Sequence, residues 1–202
     1  MKILLIRHGR TKANETHVYA TPEEPILTTE IPRLEALGLS LRDWRRSEVL
    51  VSPYRRTVET WEALHLSDTP ILLEDLREVS FGNMEGRTYG EALKAFPEEV
   101  SAWTEDPFFH SPPGGESLAA AFERVEGVLD TWKNNPKDRI VISHEGWIRL
   151  ALSSVVGRME AFFSFSIPNA RCVLLELGEF SQILGIGLGS EEIFERNKKS
   201  ST

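Results

Sequence analysis

Four short apolar segments, each leading through a turn or loop to a stretch with helical spacing, constrain the fold of this chain more than any other feature. They cover residues 3–6, 49–51, 71–73 and 140–142. Strands that alternate with helices predict a parallel sheet, because a parallel pair needs a long crossover connection. We therefore predict an α/β fold, a three-layer α/β/α sandwich with a mainly parallel central sheet, formed by a single domain over residues 1–202.

The pattern beyond these segments predicts three further elements. Apolar runs at residues 173–177 and 183–188 are typical of strands, and we expect them to complete the sheet. Ser117 precedes a long amphipathic stretch over residues 118–134, so this residue is predicted to cap a helix. The last segment, ERNKKSST, is predicted to be a frayed polar tail.

Residues 87–113 are predicted to form a small helical insertion that acts as a lid. The insertion is rich in aromatic side chains, namely Tyr89, Phe96, Trp103, Phe108 and Phe109. Such side chains either pack a small core within the insertion or line a pocket beneath it, and the sequence leaves both open. If some of them line the pocket, we expect Phe108 and Phe109 to be among them and the ligand to carry an apolar or ring-bearing group.

Composition and charge exclude several classes of partner. The formal net charge is −8, which disfavours nonspecific binding to nucleic acid or to an anionic membrane surface. No apolar stretch approaches the roughly 20 residues that a transmembrane helix needs, and no secretory signal is visible, so we expect a cytoplasmic monomer or homodimer. The single cysteine, Cys172, lies in an apolar run and is predicted to be a packed core residue.

Charged residues and histidines stand where the predicted strands end. Arg7 and His8 follow the first strand, Arg56 the second and His144 the last of the four, while the third leads to Glu78. Because the carboxyl ends of parallel strands meet at one edge of the sheet, these side chains are expected to converge there. Two guanidinium groups beside imidazoles predict a site for an anion such as a phosphate.

Four sequence boxes in this order resemble those of the histidine phosphatase superfamily, the phosphoglycerate-mutase-like group, in its phosphatase branch. The boxes are RHGRTKAN, SPYRRTVET, LREVSFGNMEG and ISHEG. The segments PPGGES and IPNA also match recurrent segments of the family. The resemblance covers nearly the whole chain, and it implies a phosphomonoesterase that works without metal or cofactor on a small phosphorylated substrate.

The resemblance also implies roles for individual residues. It assigns the nucleophile to His8, phosphate contacts to Arg7 and Arg56, the proton donor to Glu78 and a second histidine to His144. A neutral imidazole is a good nucleophile when its other nitrogen donates to an acceptor, and we expect a backbone carbonyl after the first strand to be that acceptor. We expect a protonated His144 to act as a third donor to the phosphate.

Substrate contacts are expected from Asn14, Arg10, Thr11 and Glu145. Asn14 is a phosphate-pocket residue by resemblance, whereas Arg10 and Glu145 depart from the residues usual in the family and are expected to alter the charge at the pocket mouth. The order of the boxes most resembles the α-ribazole phosphate phosphatase subgroup. The expected substrate is therefore α-ribazole phosphate or a nucleotide-like or sugar phosphate.

Other readings stay open at this stage. A phosphoglycerate mutase shares the core, although 202 residues favour hydrolysis because mutases of this type generally have longer chains. A noncatalytic phosphate-binding protein is a further alternative. Glu85 is the closest rival to Glu78 as proton donor, whereas Arg77 is expected to form ion pairs. No closely spaced metal-ligand motif such as H-E-x-x-H occurs, so no metal site is predicted.

Overall fold

The computed structural model describes residues 1–44 and 47–200, with the backbone alone for residues 197–200. Six strands form one sheet in the order β3-β2-β4-β1-β5-β6. Their bounds are β1 Lys2–Arg7, β2 Glu48–Val51, β3 Ile71–Leu72, β4 Arg139–Ser143, β5 Cys172–Glu176 and β6 Gln182–Leu188. The four strands of the β3-β2-β4-β1 half are parallel, and β5 and β6 join antiparallel.

Helices cover both faces of this sheet. Their bounds are α1 Lys12–Thr16, α2 Ile31–Ser40, α3 Arg55–Leu64, α4 Tyr89–Ala95, α5 Pro97–Glu105, α6 Leu118–Asn134, α7 Glu145–Val156 and α8 Ser190–Ser200. Short 3₁₀ turns connect them at Thr28–Glu30, Arg42–Trp44, Glu74–Leu76, Gly82–Met84 and Met159–Ser164. None of the helices in the described part of the chain combines the length and apolar character needed to cross a bilayer.

Alternate residues of β1 pack into two different cores. Ile3 and Leu5 belong to a core shared with α6 and α7, while Leu4 and Ile6 belong to a second core shared with α2, α3 and α8. All four side chains are fully buried. This is why the segment reads as a continuous apolar run, since a strand covered on both faces has no polar side. The predicted three-layer α/β sandwich is confirmed.

The insertion between β3 and α6 has a small core of its own. Met84, Ala92 and Val100 are buried there, and Tyr19, Phe81 and Trp103 are among the partly buried rings packed around them. Two short helices, α4 and α5, carry most of it, and the capping box of Thr88 starts the first of them. The insertion therefore packs around a core that is separate from the two cores of the sheet.

Two of the predicted elements can be compared directly with the structure. Ser117 caps α6 as predicted, because its side chain accepts a hydrogen bond from the backbone N–H of Ala120. The prediction of a frayed tail is wrong as far as Ser200, since the segment continues the helix α8. Ile193 of α8 is buried in the second core, which anchors this helix against the sheet.

Candidate active site

The site lies at the carboxyl edge of the parallel strands. Arg7 pairs with Ser143 in the β1–β4 register, so the next residues, His8 and His144, leave the sheet side by side. Their ring centroids lie 5.3 Å apart, and the His8 backbone N–H donates to the Ser143 carbonyl at 3.1 Å. The predicted convergence of the two histidines is therefore a result of strand pairing.

His8 is held in one tautomer by its own loop. Its Nδ1 lies 2.7 Å from the Gly9 carbonyl oxygen, which accepts the ring proton and leaves the Nε2 lone pair free. The predicted backbone acceptor is confirmed. Burial first, and then the charges of Arg56 and Arg7, hold the pKa of His8 well below its usual value of 6.5. A neutral, nucleophilic imidazole follows from this environment.

Two arginines flank His8 with part of each guanidinium unused. Arg7 donates from Nη1 to the Ile167 carbonyl at 2.6 Å, and Arg56 donates from Nη1 to the Thr21 carbonyl at 2.8 Å. The Nε atom of each is buried and has no hydrogen-bond partner within the described chain. Unsatisfied buried donors are costly, so these atoms indicate where an anion belongs. The two guanidinium groups thus have donors available for an anion such as the expected phosphate.

His144 differs from the prediction in its charge. Burial, followed by the charges of Arg56 and then His8, holds the pKa of His144 well below 6.5, which favours the neutral ring over the protonated His144 that was expected. Its Nε2 lies 2.8 Å from the hydroxyl of Ser52, whereas Nδ1 has no partner among residues 1–44 and 47–200. When the Ser52 hydroxyl donates to Nε2, the proton is on Nδ1. His144 then acts as a neutral donor.

Glu78 lies at the amino end of α7. Its carboxylate accepts hydrogen bonds from the backbone N–H groups of Val79 at 3.0 Å, Trp147 at 3.2 Å and Gly146 at 3.3 Å. Free N–H groups at a helix start favour a carboxylate, and they fix its position on the wall of the cavity. Glu85 lines the same cavity, where it accepts from the Ser80 hydroxyl at 3.5 Å, so both candidate acids reach it.

Three residues of the first box, RHGRTKAN, were expected to contact the substrate. Thr11 is buried and caps α1 in a capping box with Asn14, and it lies outside the cavity lining of the described chain. Arg10 also lies outside that lining and is half exposed, paired with the buried Glu30 at 3.3 Å. Substrate contact by Arg10 or Thr11 is therefore not supported. Asn14 does line the cavity, as expected.

Glu145 lines the cavity and bridges two arginines. One carboxylate oxygen lies 2.5 Å from Arg7 Nη1 and the other 2.5 Å from Arg149 Nη2. Arg149 lines the cavity as well and was not identified from the sequence. Its position one helical turn after Glu145 was the available signal, because residues four apart on a helix face each other.

The cavity has a volume of about 380 Å³ and an aromatic outer wall. The rings that line it are Tyr19, Tyr54, Phe81, Trp103, Phe162 and Phe163. Of the predicted pair, Phe108 packs edge-on against Phe163 with centroids 5.7 Å apart, and Phe109 is 73% exposed. Neither lines the cavity in the described part of the chain, so that expectation is wrong.

Several supporting residues were not identified from the sequence. Asn169, within the IPNA segment, donates to the His8 carbonyl at 3.1 Å and to Asn14 Oδ1 at 3.3 Å. Thr60, the last residue of the second box, accepts from the Gly9 N–H at 2.9 Å. Both segments had been noted, but a hydrogen bond between distant segments leaves no local signal. These contacts fix the loop that carries His8.

Comparison with known proteins decides the family. The model of the histidine phosphatase superfamily (branch 1) matches residues 3–184, most of the chain. The chain belongs to this superfamily. As a histidine phosphatase it is a hydrolase, a phosphomonoesterase of small phosphorylated metabolites, and the site described above lies where the matched boxes converge.

Individual relatives of this histidine phosphatase carry different substrate names. It is 25% identical to phosphoserine phosphatase 1 of Hydrogenobacter thermophilus, over 91% of this chain and 90% of the relative. It is 29% identical to the adenosylcobalamin/alpha-ribazole phosphatase of Escherichia coli, over 84% and 86% respectively. The crystal structure of the alpha-ribazole phosphatase from Shigella flexneri superposes with a TM-score of 0.86 at 25% identity, covering 93% of this chain and 96% of that one.

Two further predictions concern Cys172 and metal binding. Burial raises the pKa of the Cys172 thiol to about 12, and the residue is fully buried as predicted, which makes it a packing residue and not a nucleophile. Within the residues that the structure describes, no group of three or more His, Cys, Asp or Glu side chains is arranged to hold a metal ion.

Proposed function

We propose that this histidine phosphatase hydrolyses phosphate monoesters through a phosphohistidine on His8. The Nε2 lone pair attacks phosphorus, and the bond from phosphorus to the leaving oxygen breaks while Glu78 gives that oxygen a proton. Water then attacks the phosphohistidine and gives its proton to Glu78, which restores the acid and the free imidazole. Arg7, Arg56 and the Nδ1–H of His144 hold the non-bridging oxygens in both steps.

One observation carries this proposal: a neutral histidine with a free Nε2 lies beside two cations whose Nε donors are unpartnered. The hydrogen bond from His8 Nδ1 to the Gly9 carbonyl fixes the tautomer, and the nearby positive charges keep the ring from taking a second proton. A binding protein would need the cations, but it would not need a nucleophile prepared in this way. The arrangement therefore favours turnover over binding alone.

Trapping the intermediate tests the chemistry. Rapid quenching with a ³²P-labelled monoester should give a phosphoprotein that is labile in acid and stable in alkali, with the label on His8. The H8A variant serves as the blank. Label on a serine or on Cys172, or turnover without any covalent label, would contradict the assignment. Activity should survive EDTA because Arg7, Arg56 and His144 supply the charge and donors that a metal would provide.

For the substrate, we propose a phosphate ester whose leaving group carries a ring, such as α-ribazole phosphate, a nucleotide or a sugar phosphate. The aromatic wall of the cavity supports this choice, because rings stack favourably on Tyr19, Phe81 and Trp103. The names of the E. coli and Shigella flexneri relatives support it too. The test compares kcat/KM for α-ribazole phosphate and nucleoside monophosphates with that for 3-phosphoglycerate and phosphoserine.

A phosphoglycerate mutase is the remaining rival among the enzymes. It would transfer the phosphoryl group between hydroxyls and would depend on a bisphosphorylated primer. We expect release of inorganic phosphate without a primer. Isomerisation of phosphoglycerate that needs a primer and releases negligible phosphate would favour the rival. For location and assembly, we propose a cytoplasmic monomer or homodimer, which cell fractionation and light scattering would test.

A further inference from the structure

The carboxylate of Glu145 forms an ion pair with Arg7, an arginine that the proposed function assigns to the phosphate. Its Oε2 lies 2.5 Å from Arg7 Nη1, and the same nitrogen donates to the Ile167 carbonyl at 2.6 Å. An Nη group has two hydrogens, so these two contacts use both of them. The Arg7 side chain is 13% exposed and that of Glu145 21%, so water screens this pair less than a surface pair.

A phosphate oxygen and the Glu145 carboxylate make the same demand on Arg7. Both are anions that take N–H donors from a guanidinium, and each repels the other at ion-pair distance. Glu78 stands near the same arginine, so Arg7 already interacts with two carboxylates before a phosphate arrives. A phosphate that binds Nη1 of Arg7 must therefore displace Glu145, and a phosphate that binds the free Nε binds against the charge of Glu145.

Arg149 is a second ion-pair partner of Glu145. The other carboxylate oxygen of Glu145 lies 2.5 Å from Arg149 Nη2, and the Arg149 guanidinium carbon lies 5.6 Å from the centre of the Phe162 ring. The Nε of Arg149 is buried and has no partner in the part of the chain that the structure describes. When a phosphate binds Arg7, Glu145 stays paired with Arg149. This second ion pair lowers the free-energy cost of displacing Glu145 from Arg7.

We propose that Glu145 is an internal competitor for the phosphate seat at Arg7, and that Arg149 sets the strength of this competition. The proposal rests on the function proposed above, in which Arg7 binds the phosphoryl group. Inorganic phosphate, the product, has only the phosphate seat, whereas the substrate also has the contacts of its leaving group. Glu145 therefore weakens product inhibition and helps the product to leave.

Binding of inorganic phosphate to E145Q measures the competition directly. The amide keeps the size of the side chain and removes its charge, so titration calorimetry should give a Kd about tenfold lower than in the wild type. E145A provides a second variant without an amide that could bond Arg7. Unchanged or weaker phosphate binding in both variants would overturn the proposal, because a carboxylate that merely positions Arg7 would weaken binding on removal.

Glu160 offers a control for net charge. It is exposed and lies outside the cavity lining of the described chain, so E160Q makes the same change in charge away from Arg7. Its Kd for phosphate should stay within about twofold of the wild-type value, because charges on the surface are screened. Equal tightening in E160Q and E145Q would attribute the effect to net charge and would overturn the proposal.

Arg149 provides a test by double substitution. R149Q leaves Arg7 as the remaining ion-pair partner of Glu145 among the described residues, so phosphate should bind about threefold more weakly than in the wild type. In E145Q the same substitution should have little effect, because there is no carboxylate to share. An equal loss of phosphate affinity in the wild-type and E145Q backgrounds would mean that Arg149 acts on phosphate directly. The proposal that Arg149 acts through Glu145 would then be wrong.

The failure of this proposal is distinguishable from failure of the proposed function. Phosphate binding needs no turnover, and the comparison can be repeated in an H8A background, which keeps Arg7, Glu145 and Arg149. If no monoester is hydrolysed by the wild type, the proposed function fails while the affinities still report on Glu145. If hydrolysis occurs and E145Q binds phosphate no better, the competition fails alone.

Discussion

The inner and outer ends of the cavity are built in different ways. The inner end, which we define as Arg7, His8 and Arg56 of the cavity lining together with the fully buried His144 beside His8, is mounted where β1 and β4 leave the sheet and where α3 begins after β2. The outer end comprises Tyr19, Phe81, Trp103 and Phe163, which come from loops and the insertion. His8 and His144 are at most 4% exposed, whereas Phe163 is 61% exposed.

This difference assigns different tasks to the two ends. Side chains on strand ends are held by the pairing of the sheet, as the register of Arg7 with Ser143 shows, and catalytic groups need such fixed positions. Rings on loops can change with little cost to the sheet, and loops tolerate variation. We therefore expect the inner end to carry out the proposed reaction and the outer end to determine which leaving group is preferred.

The largest effect is expected from removal of the nucleophile at the inner end. H8A should lower kcat by at least about 1,000-fold on every monoester, because the proposed covalent intermediate forms on His8. Steady-state release of phosphate on several substrates measures this. If H8A reduced the rate for one substrate and spared another, the division of tasks between the two ends would be wrong, since dependence on the leaving group is expected from the outer end.

The next effect separates Glu78 from Glu85. E78Q should lower kcat/KM for an alkyl phosphate by about 100-fold or more, because the alkoxide needs a proton as it leaves. For p-nitrophenyl phosphate the loss should be under about tenfold, since nitrophenolate leaves without much protonation. The parameter kcat/KM is the right measure because it covers only steps up to formation of the phosphohistidine. E85Q is the matched control, and the larger differential loss in E85Q would move the acid to Glu85.

Acid stability sharpens the description of the inner end. The folded-state pKa of His144 is lowered, so below about pH 6.5 the unfolded chain binds a proton that the folded chain does not, and stability falls as pH falls. The variant H144Q should lack this contribution. Its unfolding equilibrium constant should therefore rise less steeply as pH falls than that of the wild type, by up to about tenfold per pH unit. Urea unfolding at pH 7.0 and about pH 5.5 measures it. Parallel curves for wild type and H144Q would show that folding does not lower the pKa of His144.

The smallest effect is expected at the outer end. W103A should lower kcat/KM for a nucleoside monophosphate by about fivefold and leave 3-phosphoglycerate nearly unchanged, because ring contacts of this kind are worth about 1 kcal/mol. F109A is the matched control, since Phe109 is exposed in the same insertion and lies outside the cavity lining of the described chain. An equal loss on both substrates in W103A would indicate a change at the inner end instead.

The comparison also explains which predictions from sequence were successful. The apolar runs of β1, β2 and β4 and the residues that follow them were predicted to within a residue or two at each end. Burial on both faces requires such runs, and the parallel pairing that it implies is enough to bring His8 to His144. For the outer end, aromatic composition predicted that rings are present but not which rings turn inward. Trp103 lines the cavity and packs against Phe81, whereas Phe108 packs against Phe163 and does not line the cavity of the described chain.

The sequence by itself determined the layers of the fold, the family and the residues at the strand ends, because these depend on local periodicity and on short boxes. The tertiary structure alone decided the neutral charge of His144, the pairing of Arg10 with Glu30 and the bridge from Arg7 through Glu145 to Arg149. Burial and the distance between charges determine these properties. Both depend on residues that lie far apart along the chain and meet only when it folds.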